Sequence, residues 1–118
     1  MEIDLNGKGL GVFLKDYQEV AMNVVWRGGN KSSRDVWVAV NQELKGKTIS
    51  RASIINFLND MVDQGFLDYS EITGKGGHRR IYKAKLNRDE TWLQVIRLTK
   101  EALMRGSGWD ITFTALKE

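Results

Sequence analysis

The order of patterns in residues 48–86 constrains the fold more than any other feature of this chain. A helical period begins after Ser50, a favourable N-cap residue, and ends at Gly65, which suits the left-handed position after a helix. The buried stripe of this helix is expected to be Ile54, Phe57, Leu58 and Met61. Residues 66–72 and 80–86 then alternate as strands do, on either side of a glycine-rich stretch. The order predicts a helix followed by a β-hairpin with its tip at residues 73–79.

Two more helices are expected ahead of this segment. Residues 16–27 open with Asp16 and Glu19, a capping-box pattern, and stop at two glycines. Residues 33–45 follow a second capping box and carry apolar side chains every four residues until Gly46. The short connection to the helix at Ser50 is typical of a helix-turn-helix.

The two ends of the chain show weaker patterns. Residues 1–13 contain three glycines and no sustained period, which leaves an arm, a short strand or disorder open. Residues 88–105 predict a long helix after a third capping box, and the segment beyond Gly108 has strand-like residues without an evident partner. We expect an N-terminal arm at 1–13, a helix-turn-helix domain with its hairpin at 14–86, and a C-terminal helix and tail at 87–118.

Composition excludes several classes of protein. The chain has no cysteine and a single histidine, which removes disulfide scaffolds, thiolate or histidine metal sites and thiol nucleophiles. We expect no catalytic residue, no cofactor and no metal, because no acid–base pair has a spacing that singles it out. No apolar run reaches the roughly 18 residues of a spanning helix, and the N-terminus lacks the pattern of a signal peptide. A cytoplasmic protein that does not act at membranes is expected.

Positive charge is concentrated in one segment. The net charge of the chain is +3, yet residues 72–88 hold six cations, one histidine and no acid. The six cations are Lys75, Arg79, Arg80, Lys83, Lys85 and Arg88. A segment whose charges are all positive, next to a glycine-rich turn, favours binding to a polyanionic partner. Residues 74–77 superficially resemble a phosphate-binding loop, but they lie in a hairpin rather than between a strand and a helix, so no nucleotide site is expected.

The helix from Ser50 carries residue types that read DNA bases. Its face opposite the buried stripe holds Ala52 and Asn56 in the first turns, with Arg51 beside them. Arginine can pair with guanine and asparagine with adenine, while a helix N-terminus attracts phosphate. The candidate DNA-binding residues are Ser50, Arg51, Ser53 and Asn56 on the helix and Lys75, His78, Arg79 and Arg80 in the hairpin. The alternatives are a solvated helix face, which Asp60 and Asp63 favour, and a flexible soluble turn.

The last helix is apolar on more than one side. The candidate dimerisation residues are Trp92, Leu93, Ile96, Leu98 and Leu103. One face could cover the preceding domain while the other requires a partner, and a symmetric homodimer is the economical solution. The alternative is a helix wholly buried by the first helix and the tail.

These segments together resemble the penicillinase-repressor group of winged-helix regulators. The resemblance lies in residues 14–26 with their Met-x-Val-x-Trp ending, 33–37, 50–58, 64–67 and 79–82, in that order. It implies a homodimeric repressor that binds an inverted repeat with the helix from Ser50 in the major groove. The cysteine cluster of the copper-responsive members is absent, and the C-terminal part is shorter than usual. Regulators of the MarR and PadR kind share much of this pattern.

The sequence therefore predicts an α+β, mostly helical winged helix-turn-helix with a three-helix core, a β-hairpin wing and a C-terminal dimerisation helix. The predicted function is sequence-specific binding of double-stranded DNA by a dimeric transcriptional repressor. The alternatives are a winged-helix module that binds protein and a non-specific DNA-binding protein. A small hydrolase or transferase has no supporting residues, and no residue indicates an effector site.

Overall fold

A computed structural model describes residues 3–74 and 77–106, and the chain divides into two compact units with the boundary between Leu86 and Asn87. The helices are α1 (Asp16–Trp26), α2 (Ser33–Glu43), α3 (Arg51–Asp63) and α4 (Arg88–Gly106). The strands are β1 (Lys31–Ser32), β2 (Leu67–Gly74) and β3 (Gly77–Ala84). The first unit holds α1 to α3 and the strands, and the second holds α4. The expected helices and hairpin are therefore present in the expected order.

Side-chain capping explains where α2 and α4 begin. The Ser32 hydroxyl accepts from the Asp35 N–H at 3.1 Å, and the Asp35 carboxylate accepts from the Ser32 N–H at 2.9 Å. Asn87 and Glu90 make the same reciprocal pair, at 2.8 and 3.0 Å, ahead of α4. Each pair satisfies N–H groups that have no partner inside the helix. The capping boxes predicted ahead of α2 and α4 are confirmed.

The capping box predicted for α1 is displaced by one residue. Lys15 is the N-cap, and its N–H donates to Oε1 of Gln18 at 3.0 Å. Asp16 is already the first helical residue, so its carboxylate is not at the capping position. The prediction of Asp16 and Glu19 as the box is wrong, because acidic residues favour the whole first turn and not the cap alone.

The strands of the first unit form an antiparallel sheet in the order β1-β3-β2. Strand β1 was not predicted, because two residues are too short to show a period. The hairpin differs from expectation at its tip. Both strands continue to a Gly74–Gly77 pair, so His78 and Arg79 belong to β3 and not to a loop. Gly77 has a φ of +94°, which glycine adopts without the penalty of a Cβ.

The core of the first unit forms where the three helices meet the base of the hairpin. Its buried residues include Met22, Val25, Val36, Val40, Ile54, Leu58, Met61, Phe66, Leu67 and Tyr82. The predicted buried stripe of α3 is confirmed, since its four members are all buried. Burial of such side chains contributes roughly 1.5–3 kcal/mol each, so α3 is held firmly on this side.

The N-terminal segment is folded onto the first unit. A 3₁₀-helix at Gly9–Val12 buries Leu10, and the Asp4 N–H donates to the Val12 carbonyl at 2.6 Å. Gly7 packs so closely that a Cβ there would lie 2.3 Å from the Gly11 carbonyl oxygen. The described part of this segment, residues 3–13, therefore folds as part of the first unit, which its lack of period did not reveal.

Candidate nucleic-acid interface

Side chains of α2 hold the turn that leads into α3. Trp37 Nε1 donates to the Ile49 carbonyl at 2.9 Å. The Asn41 amide accepts from the Ile49 N–H at 2.8 Å and donates to the Ile49 carbonyl at 3.2 Å. The N–H and the carbonyl of Ile49, one residue before the α3 N-cap, are therefore both hydrogen-bonded, as they would be in a β-sheet. Sequence reasoning missed Asn41, although asparagine inside a helix is unusual enough to suggest a tertiary role.

The first turn of α3 presents polar side chains to solvent. Ser50 is the N-cap, and its hydroxyl accepts from the Ser53 N–H at 3.1 Å. The Ser50 and Ser53 hydroxyls are also 2.8 Å apart, so both serines take part in capping. Arg51 and Asn56 are exposed, and the small Ala52 between them is exposed too. The DNA-binding residues predicted on α3 thus lie together at its accessible N-terminus, where capping fixes the first turn.

A cluster of polar side chains, which we call the Asn59 cluster, joins α3 to the hairpin. Asn59 Oδ1 accepts hydrogen bonds from Tyr82 OH at 2.6 Å and from Arg80 at 3.1 Å. The Arg80 guanidinium also lies 4.0 Å from the centre of the Tyr69 ring, in cation–π geometry. Burial raises the pKa of the Tyr82 hydroxyl, and the charge of Arg80 opposes that shift. Arg80, predicted as a free DNA contact, is therefore already engaged inside the protein.

The two faces of the hairpin carry different side chains. His78 and Arg80 lie on the face of β3 that includes Tyr82, because alternate residues of a strand point to the same side. Arg79 lies on the other face and is exposed, as is His78. Glu71 pairs with Arg80 across the strands and adds an acid to the Tyr82 face. Lys75 lies outside the described residues, so its predicted role is not located.

The charge of Arg79 reaches the start of α2. The Ser32 N–H, donating to the Asp35 carboxylate, is the main cause that holds the pKa of Asp35 below its usual value. Lys31 and Arg79 lower that pKa further through their positive charge. Arg79 therefore stands near β1 and the α2 N-terminus, on the side of the hairpin away from the Asn59 cluster.

Helix α4 carries buried side chains along one side and exposed apolar side chains along another. Thr91 and Val95 are buried, and Leu98 is half-buried. The exposed fractions are 42% for Trp92, 65% for Leu93, 48% for Ile96 and 51% for Leu103. Leu98 is thus separated from the other predicted dimerisation residues. No helix in the described part of the chain is long and apolar enough to cross a membrane.

Comparison with known proteins identifies the fold of this chain but not its family. No protein-family model matches it, and no curated protein does. Among solved structures it is similar to Bacillus subtilis PadR in complex with operator DNA, with a TM-score of 0.54 and 14% sequence identity. The match covers 77% of this chain and 60% of the PadR chain, so this chain spans less than two thirds of that protein. The likeness confirms the predicted α+β, mostly helical winged helix-turn-helix fold, and it gives no support to the penicillinase-repressor group in particular.

Proposed function

We propose that this protein is a sequence-specific, double-stranded DNA-binding transcriptional regulator. The observation that carries the proposal is the exposed face of Arg51, Ala52 and Asn56 at the capped N-terminus of α3, beside a hairpin rich in cations. An α-helix fits the major groove, and small residues such as Ala52 permit close approach to the bases. In the solved structure that this fold resembles, PadR is bound to operator DNA.

The side chains suggest a division of roles. Arg51 would form a bidentate pair with guanine, and Asn56 would pair with adenine. Ser50 and Ser53 would meet phosphate at the helix N-terminus, where the N–H groups and the helix dipole favour an anion. His78 and Arg79, together with Lys75, would contact the backbone or enter the minor groove.

The assembly that fits this function is a homodimer. Trp92, Leu93 and Ile96 form an exposed apolar stripe on α4, and a second copy of α4 would bury it symmetrically. Two α3 helices would then read two half-sites of an inverted repeat, about 10 bp or a multiple of it apart. Repression of a promoter is part of this proposal, and the absence of a catalytic role stays a prediction.

A protein-interaction module is the second candidate function. Glu71 on the hairpin face, together with exposed Asp60 and Asp63 on α3, brings acids close to the proposed DNA surface. Acids repel phosphate and suit a basic protein partner instead. Ile55, an apolar residue on the flank of α3, is only half-buried and is available to such a partner.

The deciding experiment is selection of the full-length protein on a pool of randomised DNA duplexes at near-physiological salt. Enrichment of an inverted repeat supports the proposal and identifies the operator. Retention without enrichment indicates non-specific binding to phosphate, and no retention favours the protein-interaction module.

A matched pair of α3 variants then tests the orientation of the helix. Asn56→Ala should weaken binding to the selected sequence by about 1–3 kcal/mol and relax its base preference. Asp63→Ala lies on the same side two turns later and should leave binding unchanged or slightly tighter, since it removes an acid. Equal loss from Asn56→Ala on selected and scrambled duplexes would contradict the assignment of α3.

A further inference from the structure

We infer that the Asn59 cluster sets the position of the hairpin relative to α3, with Arg80 as a positioning residue and Arg79 as the hairpin cation that meets DNA. The inference rests on the proposed function. It assigns different roles to two adjacent arginines that the sequence does not distinguish.

The first observation that supports the inference is that two donors on the same strand share one acceptor on α3. Asn59 Oδ1 receives both Tyr82 OH at 2.6 Å and Arg80 at 3.1 Å. Tyr82 is 2% exposed, so its hydroxyl has little access to water if the bond to Asn59 is lost. Any movement of β3 along α3 would break both bonds together, which favours a single register between helix and hairpin.

The second support is the contrast between the two arginines. Arg80 is half-buried, is stacked 4.0 Å from the Tyr69 ring centre, and donates to Asn59. These contacts hold its planar guanidinium in one orientation inside the protein. Arg79 is exposed on the opposite face and is free of such stacking among the described residues. A phosphate on the outer side of the hairpin would therefore meet Arg79 first.

The third support is the weak anchoring of the hairpin beyond this point. Residues 69–74 and 77–79 are exposed, and a two-stranded ribbon on its own is marginally stable in water. The Asn59 cluster is the last set of described side-chain hydrogen bonds along β3 that joins the ribbon to α3. It therefore decides whether α3 and the hairpin reach their parts of the duplex at the same time.

The test compares four variants on the selected sequence and on a scrambled duplex across a range of salt concentrations. Tyr82→Phe removes one hydrogen bond and keeps the buried ring, while Arg80→Lys keeps the charge and loses the fork and the stacking. Each should lower the preference for the selected sequence about tenfold and leave the salt slope unchanged. Arg80→Ala should behave like Arg80→Lys, whereas Arg79→Ala should weaken both duplexes alike and reduce the slope by about 1.

The opposite pattern would overturn the inference. If Arg80→Ala reduces the salt slope by about 1 on both duplexes and Tyr82→Phe keeps full preference, Arg80 is itself a phosphate contact. Circular dichroism and urea denaturation of each variant identify any loss that comes from unfolding.

A second measurement does not depend on DNA. Residual dipolar couplings of backbone amides report the orientation of β2 and β3 relative to α3. Tyr82→Phe should change that orientation or broaden its distribution, and an unchanged orientation refutes the inference. If the wild-type protein retains no DNA while this reorientation is observed, the proposed function fails and the positioning role of the cluster stands.

Discussion

The two parts of the proposed DNA surface are held by very different amounts of structure. The start of α3 is fixed by its own cap, by the buried stripe beneath it and by Asn41 and Trp37, which bond Ile49 ahead of it. The distal wing, residues 69–74 and 77–79, is exposed on both faces, and the described side-chain hydrogen bonds between the hairpin and α3 lie near the base of the hairpin. Base readout requires side chains placed to within fractions of an ångström, whereas phosphate contacts tolerate a mobile ribbon.

The largest expected effect is a loss of stability when the turn ahead of α3 loses its hydrogen bonds. Asn41→Ala should lower the free energy of unfolding by about 2 kcal/mol, because it removes the acceptor of the half-buried Ile49 N–H and one of the two donors to the Ile49 carbonyl. Urea denaturation measures this change. Gln42→Ala, at the exposed neighbouring position, is the control and should cost under about 0.5 kcal/mol. Equal stabilities of the two variants would show that the turn is held without Asn41.

The next effect separates base readout from charge at the start of α3. Arg51→Lys keeps the positive charge but loses the planar fork that matches guanine. Binding to the selected sequence should weaken by about 1–2 kcal/mol, while binding to a scrambled duplex should hardly change. Fluorescence anisotropy on both duplexes gives the two values. Equal weakening on both would make Arg51 a phosphate contact and remove the difference between the two regions.

A smaller gain is expected in the distal wing. Glu71→Gln removes an acid from the Tyr82 face of the hairpin, so affinity for any duplex should rise about two- to threefold, more at low salt. Asp68→Asn, nearer the base of the same strand and outside the distal wing, is the control and should have less effect. A gain confined to the selected sequence would mean that the wing reads bases.

The smallest effect concerns Asp35, which senses the charge of Arg79. The pKa of Asp35 is lowered in the folded protein, so its stabilising effect is present above its ordinary pKa of 3.8 and is lost as pH falls through the folded pKa. The free energy of unfolding should differ by about 0.5 kcal/mol between wild type and Asp35→Asn at neutral pH. This difference should disappear as the pH falls below 3.8. Denaturation at several pH values checks this.

The same carboxylate reports on the wing. Arg79→Ala should move the pKa of Asp35 upward, towards its ordinary value, because it removes a nearby positive charge. Carbon-detected NMR titration of Asp35 measures the shift. An unchanged pKa would place Arg79 further from α2 than the structure has it.

Local patterns predicted the helices well, because capping and apolar periodicity act over a few residues. The boxes at Ser32 and Asn87 and the stripe of Ile54, Leu58 and Met61 are found where the sequence indicated them. The ends of the hairpin were predicted less well. The glycines at 74 and 77 suggested a loop, but they pair with each other across the two strands.

The site was predicted in part. The exposed positions of Arg51 and Asn56 follow from the helical period, whereas the separation of Arg79 from Arg80 does not, because the sequence places Arg79 in the hairpin tip and the structure places it in β3. The roles of Asn41, Asn59 and Tyr82 could not be predicted, because their partners lie 8 to 23 residues away in the chain. Nothing in the local sequence specifies which strand residue an asparagine on α3 meets.

The sequence by itself determined the order of helices and strands, the side of α3 that is buried and the concentration of cations near the hairpin. Each of these depends on spacing, capping or composition, which are local properties of the chain. Only the tertiary structure decided that β1 joins the sheet, that the N-terminal segment folds back through Leu10, and that Arg80 bonds Asn59 while Arg79 faces solvent. These outcomes depend on which surfaces meet when the core closes, and that is settled by packing across the whole unit.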